Sequence, residues 1–404
     1  FCIRRFFYTF AKGMRRFVKI LGKGIATIVA VVLLSIVGTS VTAIYDFTPI
    51  KPFSGNDIFN PYRELDTTQR WQRASFHNHS RVEGIFNECE YEPTIVRERL
   101  ERFGTDIVTI SNHNEISEED APLYEHGYNL LKFHKLVFGA KSVVRFDHLL
   151  PVLLSQRQMQ IDLLSATGDI VQFNHPLRTP FTTTRQMHYL EGYRLMELDS
   201  GRSTENSYWD IALSSGHYSF GVANDDLHDP DNSRKIARRC NFIQTKSSDY
   251  KDIIEALNGG CYYSMRLPDY GNGDWTEKIE RNKHLPAIEN IGVEGTTLFI
   301  RLSEPADSIV ITSDCGRRQR VSTSADTARY TLSVDDSYAR FTAYFAEGEV
   351  IYTNPFARYD ASAMDSPFRE PSHQANIVLT ILFNLLLAIV AYAIIHLTII
   401  LWKR

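Results

Sequence analysis

Of the 13 histidines in this 404-residue chain, two stand one residue apart in Phe76-His77-Asn78-His79-Ser80, at the end of an apolar-alternating stretch. Imidazoles at i and i+2 on an extended segment point to the same side, so both can reach one metal ion. Three later segments end alike. Residues 106–110 run into Ser111-Asn112-His113-Asn114-Glu115, residues 169–173 into Asn174-His175-Pro176, and residues 220–223 into Asn224-Asp225-Asp226-Leu227-His228. Four buried-looking strands that each deliver a histidine at the C-terminal end match the way a barrel of parallel strands collects its active site. Imidazole with carboxylate suits zinc, manganese or iron better than calcium.

Other candidates surround these motifs. Glu83 lies in the loop after the first pair, and His148 begins a later apolar run. Glu197 ends its own strand and would point into the same mouth, as a proton relay or as a partner orienting a histidine. Arg178 and Arg81 flank the motifs, and a guanidinium fork matches phosphate oxygens. Plainer readings stand beside each: a satisfied surface histidine at 148, an exposed loop acid at 83, solvated arginines, and Asp225 as a turn cap.

The stretches FHNHSRVEG, VTISNHNE, FNHP and NDDLH resemble, in order and approximate spacing, the motifs of the PHP family, the polymerase and histidinol phosphatase domains. The match covers roughly residues 71–265, and ALNGGCYYSM resembles the family's closing segment. The resemblance implies a distorted (β/α)7 TIM-like barrel that holds one to three divalent metal ions and hydrolyses phosphoesters. Carried over residue by residue, it gives His77, His79 and Asp226 to one metal, His148 and His175 to a second, and His113 with His228 to a third, joined by Glu83. A metal-bound hydroxide would attack phosphorus in line while neighbouring ions hold the phosphate oxygens. The sequence departs from the pattern at Gly139-Ala140-Lys141, where the family has a glutamate bridging two metals, and at Asn112, where it has an aspartate.

Around this core the chain divides by composition. Residues 25–44 and 377–402 carry no charge, and each is long enough to cross a hydrocarbon core of about 30 Å. Arg15, Arg16, Lys19 and Lys23 precede the first, and Lys403 and Arg404 follow the second, so the positive-inside rule places both termini in the cytoplasm and the middle outside it, in the periplasm. Val41-Thr42-Ala43 also resembles a signal-peptide cleavage site, an alternative to an anchor for the first span. Asn384 and His396 read as polar glue between helices.

The expected organisation is a basic tail (1–24), a transmembrane helix (25–45), a stalk (46–70), the metal-binding barrel (71–268), a small β-sandwich (286–358) and a second transmembrane helix (376–402). Within the barrel, residues 118–135 read as a helix and 148–155 as an edge strand. Of five cysteines, Cys240 and Cys261 could pair or stay reduced; no spacing fits a metal or redox motif.

A net charge of −4 and the lack of a basic stripe with interleaved aromatics exclude an evident nucleic-acid partner. The leading expectation is a membrane-anchored, extracytoplasmic, metal-dependent phosphoesterase acting on a phosphorylated small molecule or other phosphoester. The alternative is a degenerate metal-binding barrel, its clamp broken by Lys141, serving as an envelope binding or scaffold module. Oligomeric state and substrate are not legible.

Overall fold

The computed structural model describes residues 2–83, 87–178, 180–199 and 207–403. It is a mixed α/β structure with one long apolar helix at each end. The first helix, Cys2–Thr39, takes in the basic segment as well as the apolar one, and Ile377–Lys403 forms the second. Segments Lys12–Thr39 and Ile377–Lys403 are long and apolar enough to cross a membrane.

The two helices pack side by side. Lys23 Nζ donates to the Trp402 carbonyl and Trp402 Nε1 to Thr27 at the far end. At the near end Asn384 Nδ2 donates to the Thr42 carbonyl at 2.9 Å and the Thr42 N–H returns to Asn384 Oδ1, so Asn384 does join the two segments. His396 only stacks on Tyr392 of its own helix. Where the chain leaves the helices, Tyr45–Asp46 pairs with Gln374–Ala375.

Between the helices the strands form two main sheets. A five-stranded sheet runs Leu123–His126, Lys135–Phe138, Ile170–Phe173, Leu195–Asp199, Phe220–Ala223. Its last three strands are parallel, linked through helices Thr184–Met187 and Ser207–Ser214, whereas its first three are antiparallel. An eleven-stranded sheet carries Gln72–Ser75 beside Ile107–Val108 at one edge. It continues through Arg239–Ile243 and Tyr262–Arg266 into the long antiparallel strands of residues 288–359. Asp57–Phe59, expected to be irregular, pairs with Phe356–Tyr359.

The expected all-parallel β/α repeat is therefore interrupted, and among the described residues no ladder closes a barrel. Residues 118–135 are not a helix. Pro122 and Gly127 bracket a four-residue strand, and the short link to Lys135 forces an antiparallel return. Residues 148–155 are not a strand: 148–153 form an irregular loop, because Pro151 removes a ladder donor, and 154–155 open the helix Leu154–Ser165. Residues 297–313 form one bent strand whose register breaks between Arg301 and Ala306, around Pro305.

One apolar core, with Phe76, Phe138, Phe173, Leu195, Trp209 and Phe220, fills the space between the sheets, and a second lies under the long strands. Each such side chain contributes about 1.5–3 kcal/mol on burial. Cys240 sits opposite Met265, while Cys261 adjoins Tyr262 at the other end of the same ladder, opposite Ile243. The register thus keeps the two thiols apart, and both are reduced.

The two sheets meet at two seams, each a single parallel bridge, Asn78 with Leu227 and His113 with Glu125. Both seams are made by strand ends that carry histidines or carboxylates.

Candidate metal centre

At the first seam, His79 N–H donates to the Leu227 carbonyl at 2.8 Å and Leu227 N–H to His77 at 3.2 Å. This backbone exchange draws the His77-Asn78-His79 segment against Asp226, whose φ of 52° lies in the left-handed region. His175 (φ 28°) and Asn114 (φ 50°) are similarly strained. Non-glycine residues held there cost on the order of 1–3 kcal/mol each and cluster at functional sites.

Four donor atoms converge. His77 Nε2 lies 3.1 Å from both Glu125 Oε2 and Asp226 Oδ1, and His79 Nε2 lies 3.3 and 3.2 Å from the same two oxygens. His77 Nε2 is buried and stands at contact distance of two carboxylate oxygens, yet makes a well-directed hydrogen bond to neither. A tetrahedral ion with bonds of about 2.0 Å separates its ligands by about 3.3 Å. The donor set therefore fits a divalent cation, and His175 Nε2, buried without a well-directed hydrogen bond, lies 3.4 Å from Glu125 Oε1 beside it.

Glu125 is the centre of the arrangement. Its Oε2 faces His77, His79 and His113 (3.2 Å), and its Oε1 faces His134 (3.3 Å) and His175 (3.4 Å). A second group gathers His79, Glu88 and His228; a third gathers His113, Glu125 and His134. Glu88 Oε2 reaches His113 Nε2 at 3.1 Å, and His228 Nε2 reaches Asp226 Oδ1 at 3.2 Å. His228 and Glu88 are the more exposed members and mark the mouth.

Charges are balanced against burial. Burial alone would lower the His77 imidazole, but Glu125, Asp226 and Glu197 outweigh it and raise its pKa well above the usual value. Burial would raise the carboxyls of Glu125 and Asp226, but the surrounding histidines hold both well below the carboxylate range. The His113 contact pulls Glu88 down to about 2, and burial pushes His134 down to about 4. The carboxylates are thus ionised and His134 neutral at pH 7, as metal ligation requires, whereas His77 holds a proton that a bound cation would displace.

A second layer fixes these groups. Glu197 accepts from His77 Nδ1 at 2.9 Å, from the His175 N–H at 2.8 Å and from Asn224 Nδ2 at 3.2 Å. That contact sets the His77 tautomer and aims Nε2 inward. Asn174 Nδ2 donates to Glu125 Oε1 at 2.8 Å. Asn112 faces away from the centre, accepting from the Ser80 N–H and donating to Ser117. Arg178 Nη1 pairs with Asp226 Oδ2.

Of the residues expected from sequence, His77, His79, His113, His175, Asp226 and His228 come together, with Glu197 and Arg178 against them. Two do not. Glu83 is exposed and belongs to none of the ligand groups, and Glu88 stands where it was expected. His148 is buried elsewhere, its Nε2 on the Val41 carbonyl at 3.1 Å. Lys141 is exposed and its N–H binds the Thr167 carbonyl, so it takes no carboxylate's place. Glu125, Glu88 and His134 were missed. The signal for Glu125 was an acid set in an apolar run between Pro122 and Gly127, which a helical reading turned outward.

No family model matches the chain, and no curated protein matches it. Among solved structures it is similar to the crystal structure, at 2.20 Å, of a two-domain protein containing a predicted PHP-like metal-dependent phosphoesterase from Bacteroides vulgatus ATCC 8482, with 13% identity, 77% of this chain and 100% of that chain covered, and a TM-score of 0.38.

Proposed function

We propose that the chain is a membrane-anchored, metal-dependent phosphoesterase of PHP type, its centre held by His77, His79, Glu88, Glu125, Asp226 and His228, with His113, His134 and His175 around Glu125. The observation that carries this reading is Glu125, one buried carboxylate whose two oxygens face two separate sets of imidazoles. A ligand that bridges cations must do this.

Bound there, divalent ions would supply positive charge to phosphate oxygens and acidify a water. The chain's own residues do the rest. His77 is oriented by Glu197, and Arg178, held by Asp226, stands at the rim with guanidinium donors for a phosphate oxygen. The half-exposed His228, near Asp226 and Glu88, would complete the ligands of an ion at the mouth. The scaffold alternative rested on Lys141 among the histidines, and that motive is gone.

The helices Lys12–Thr39 and Ile377–Lys403 would span the membrane, with their basic ends in the cytoplasm and the metal centre on the other side. The test is metal analysis of the full-length protein with hydrolysis of p-nitrophenyl phosphate and its bis-ester. Wild type should hold transition metal and turn over one of the two. His77→Ala with His79→Ala should lose both properties by at least a hundredfold, and unchanged metal content in that variant would sink the reading.

A further inference from the structure

We propose that the phosphoester this centre acts on is part of a membrane lipid's headgroup, reached from an active-site rim that dips into the bilayer; the inference rests on the hydrolase reading above. It starts from the five residues after the first long helix. Residues 40–44 leave helical conformation yet run along the second apolar helix, with Thr42 at Asn384 and the Ile44 N–H on Thr380 Oγ1 at 2.8 Å. Asn384 lies seven residues past Ile377, about 10 Å along the helix at 1.5 Å per residue. Even if a hydrocarbon core of about 30 Å is centred on that helix, Asn384 falls about 5 Å inside it.

Extended backbone at that depth is tolerated only when protein satisfies it. The domain supplies the partners. His148 Nε2 binds the Val41 carbonyl at 3.1 Å, Gln156 Nε2 binds Ser40 at 3.3 Å, the Leu149 N–H binds Thr39 Oγ1 at 3.2 Å, and Ser155 Oγ accepts from Tyr45. The loop His148-Leu-Leu-Pro-Val-Leu153 therefore sits at the acyl boundary. Its side chains suit that place, with Val152 62% and Leu153 37% exposed.

The same loop is bound to both rims of the metal centre. On one side the Leu130 N–H donates to Leu149, and the Tyr128 N–H donates to Asp147; the Tyr128 ring lies 5.0 Å from that of His113. On the other, Arg157 binds the carbonyls of Pro151 and Phe181, three residues beyond Arg178. Leu130 is 64% exposed and Phe181 55%, and the exposed Lys132 and Arg145 are placed to meet anionic headgroups. An apolar, basic-edged rim continuous with two membrane helices fits a bilayer surface, and the phosphate it brings to the histidines is the lipid's own.

The experiment uses full-length, metal-loaded protein in nanodiscs. Val152→Cys in a Cys2→Ser, Cys315→Ser background, labelled with bimane, should be quenched by lipids brominated in the acyl chain. Phosphatidic acid and phosphatidylglycerol in the disc are compared with glycerol 3-phosphate and glycerophosphoglycerol in solution, and at least a tenfold preference for one lipid over its soluble counterpart is expected. Leu130→Glu and Val152→Glu, each checked by circular dichroism, should lose at least tenfold on the lipid while keeping p-nitrophenyl ester turnover within twofold.

An unquenched label, or equal turnover of lipid and soluble probes, would overturn the inference and leave the hydrolase reading standing. A quenched label with no turnover of any phosphoester would overturn both the hydrolase reading and the substrate drawn from it.

Discussion

Glu125 and Glu197 are both buried carboxylates beside His77, and the geometry gives them different work. Glu125 faces His77 Nε2 across the position a cation would take, while Glu197 holds Nδ1 from behind. Partners of this second kind typically cost 10–100-fold in metal affinity when removed. Glu197→Gln should therefore weaken metal binding by that factor without abolishing it, read by titration against a competing chelator, whereas Glu125→Gln should drop at least one equivalent outright. Equal affinity of Glu197→Gln and wild type would show that the His77 tautomer does not depend on this contact.

At the level of elements, the histidines were legible because five of them follow four strand ends, where sequence order and spatial order coincide. Glu125 was not, because its strand is buried on both faces and shows no period-2 alternation to set it apart from a helix. His148 was misplaced for a related reason. An apolar run around a proline reads as an edge strand, and nothing local says that its partner is the segment just past the first apolar helix, more than a hundred residues earlier.

The helix Trp275–Arg281 offers a further test. Burial pushes the Lys278 ammonium, bonded to the Ser233 carbonyl, down to about 8, although Asp225 and Asp269 favour its charge. With the folded value below the unfolded one of about 10.4, the unfolded chain binds more protons between pH 8 and 10.4, so this group makes stability rise with pH there. Lys278→Met should remove that rise, roughly 2 kcal/mol between pH 8 and 10, in urea midpoints at those two values. The same slope in both proteins would refute it.

For the whole molecule, the metal centre lies on the two single-bridge seams that join the sheets. Ions that bind the folded state alone stabilise it by about 4 kcal/mol at a thousandfold excess over Kd. Stripping the metal with EDTA should lower the unfolding temperature, and adding zinc or manganese back should restore it. An unchanged transition would mean that the seams hold without a cation.

The pairing of Tyr45–Asp46 with Gln374–Ala375 beside two packed helices carries its own consequence. Everything between those strands is a ring whose ends are tied before its interior is ordered. Closing a loop of several hundred residues costs on the order of 5 kcal/mol of chain entropy. Here packing of the helix pair takes on that cost, so the distant pairing of Asp57–Phe59 with Phe356–Tyr359 becomes a local event. The helices act as a clasp that shortens the folding search.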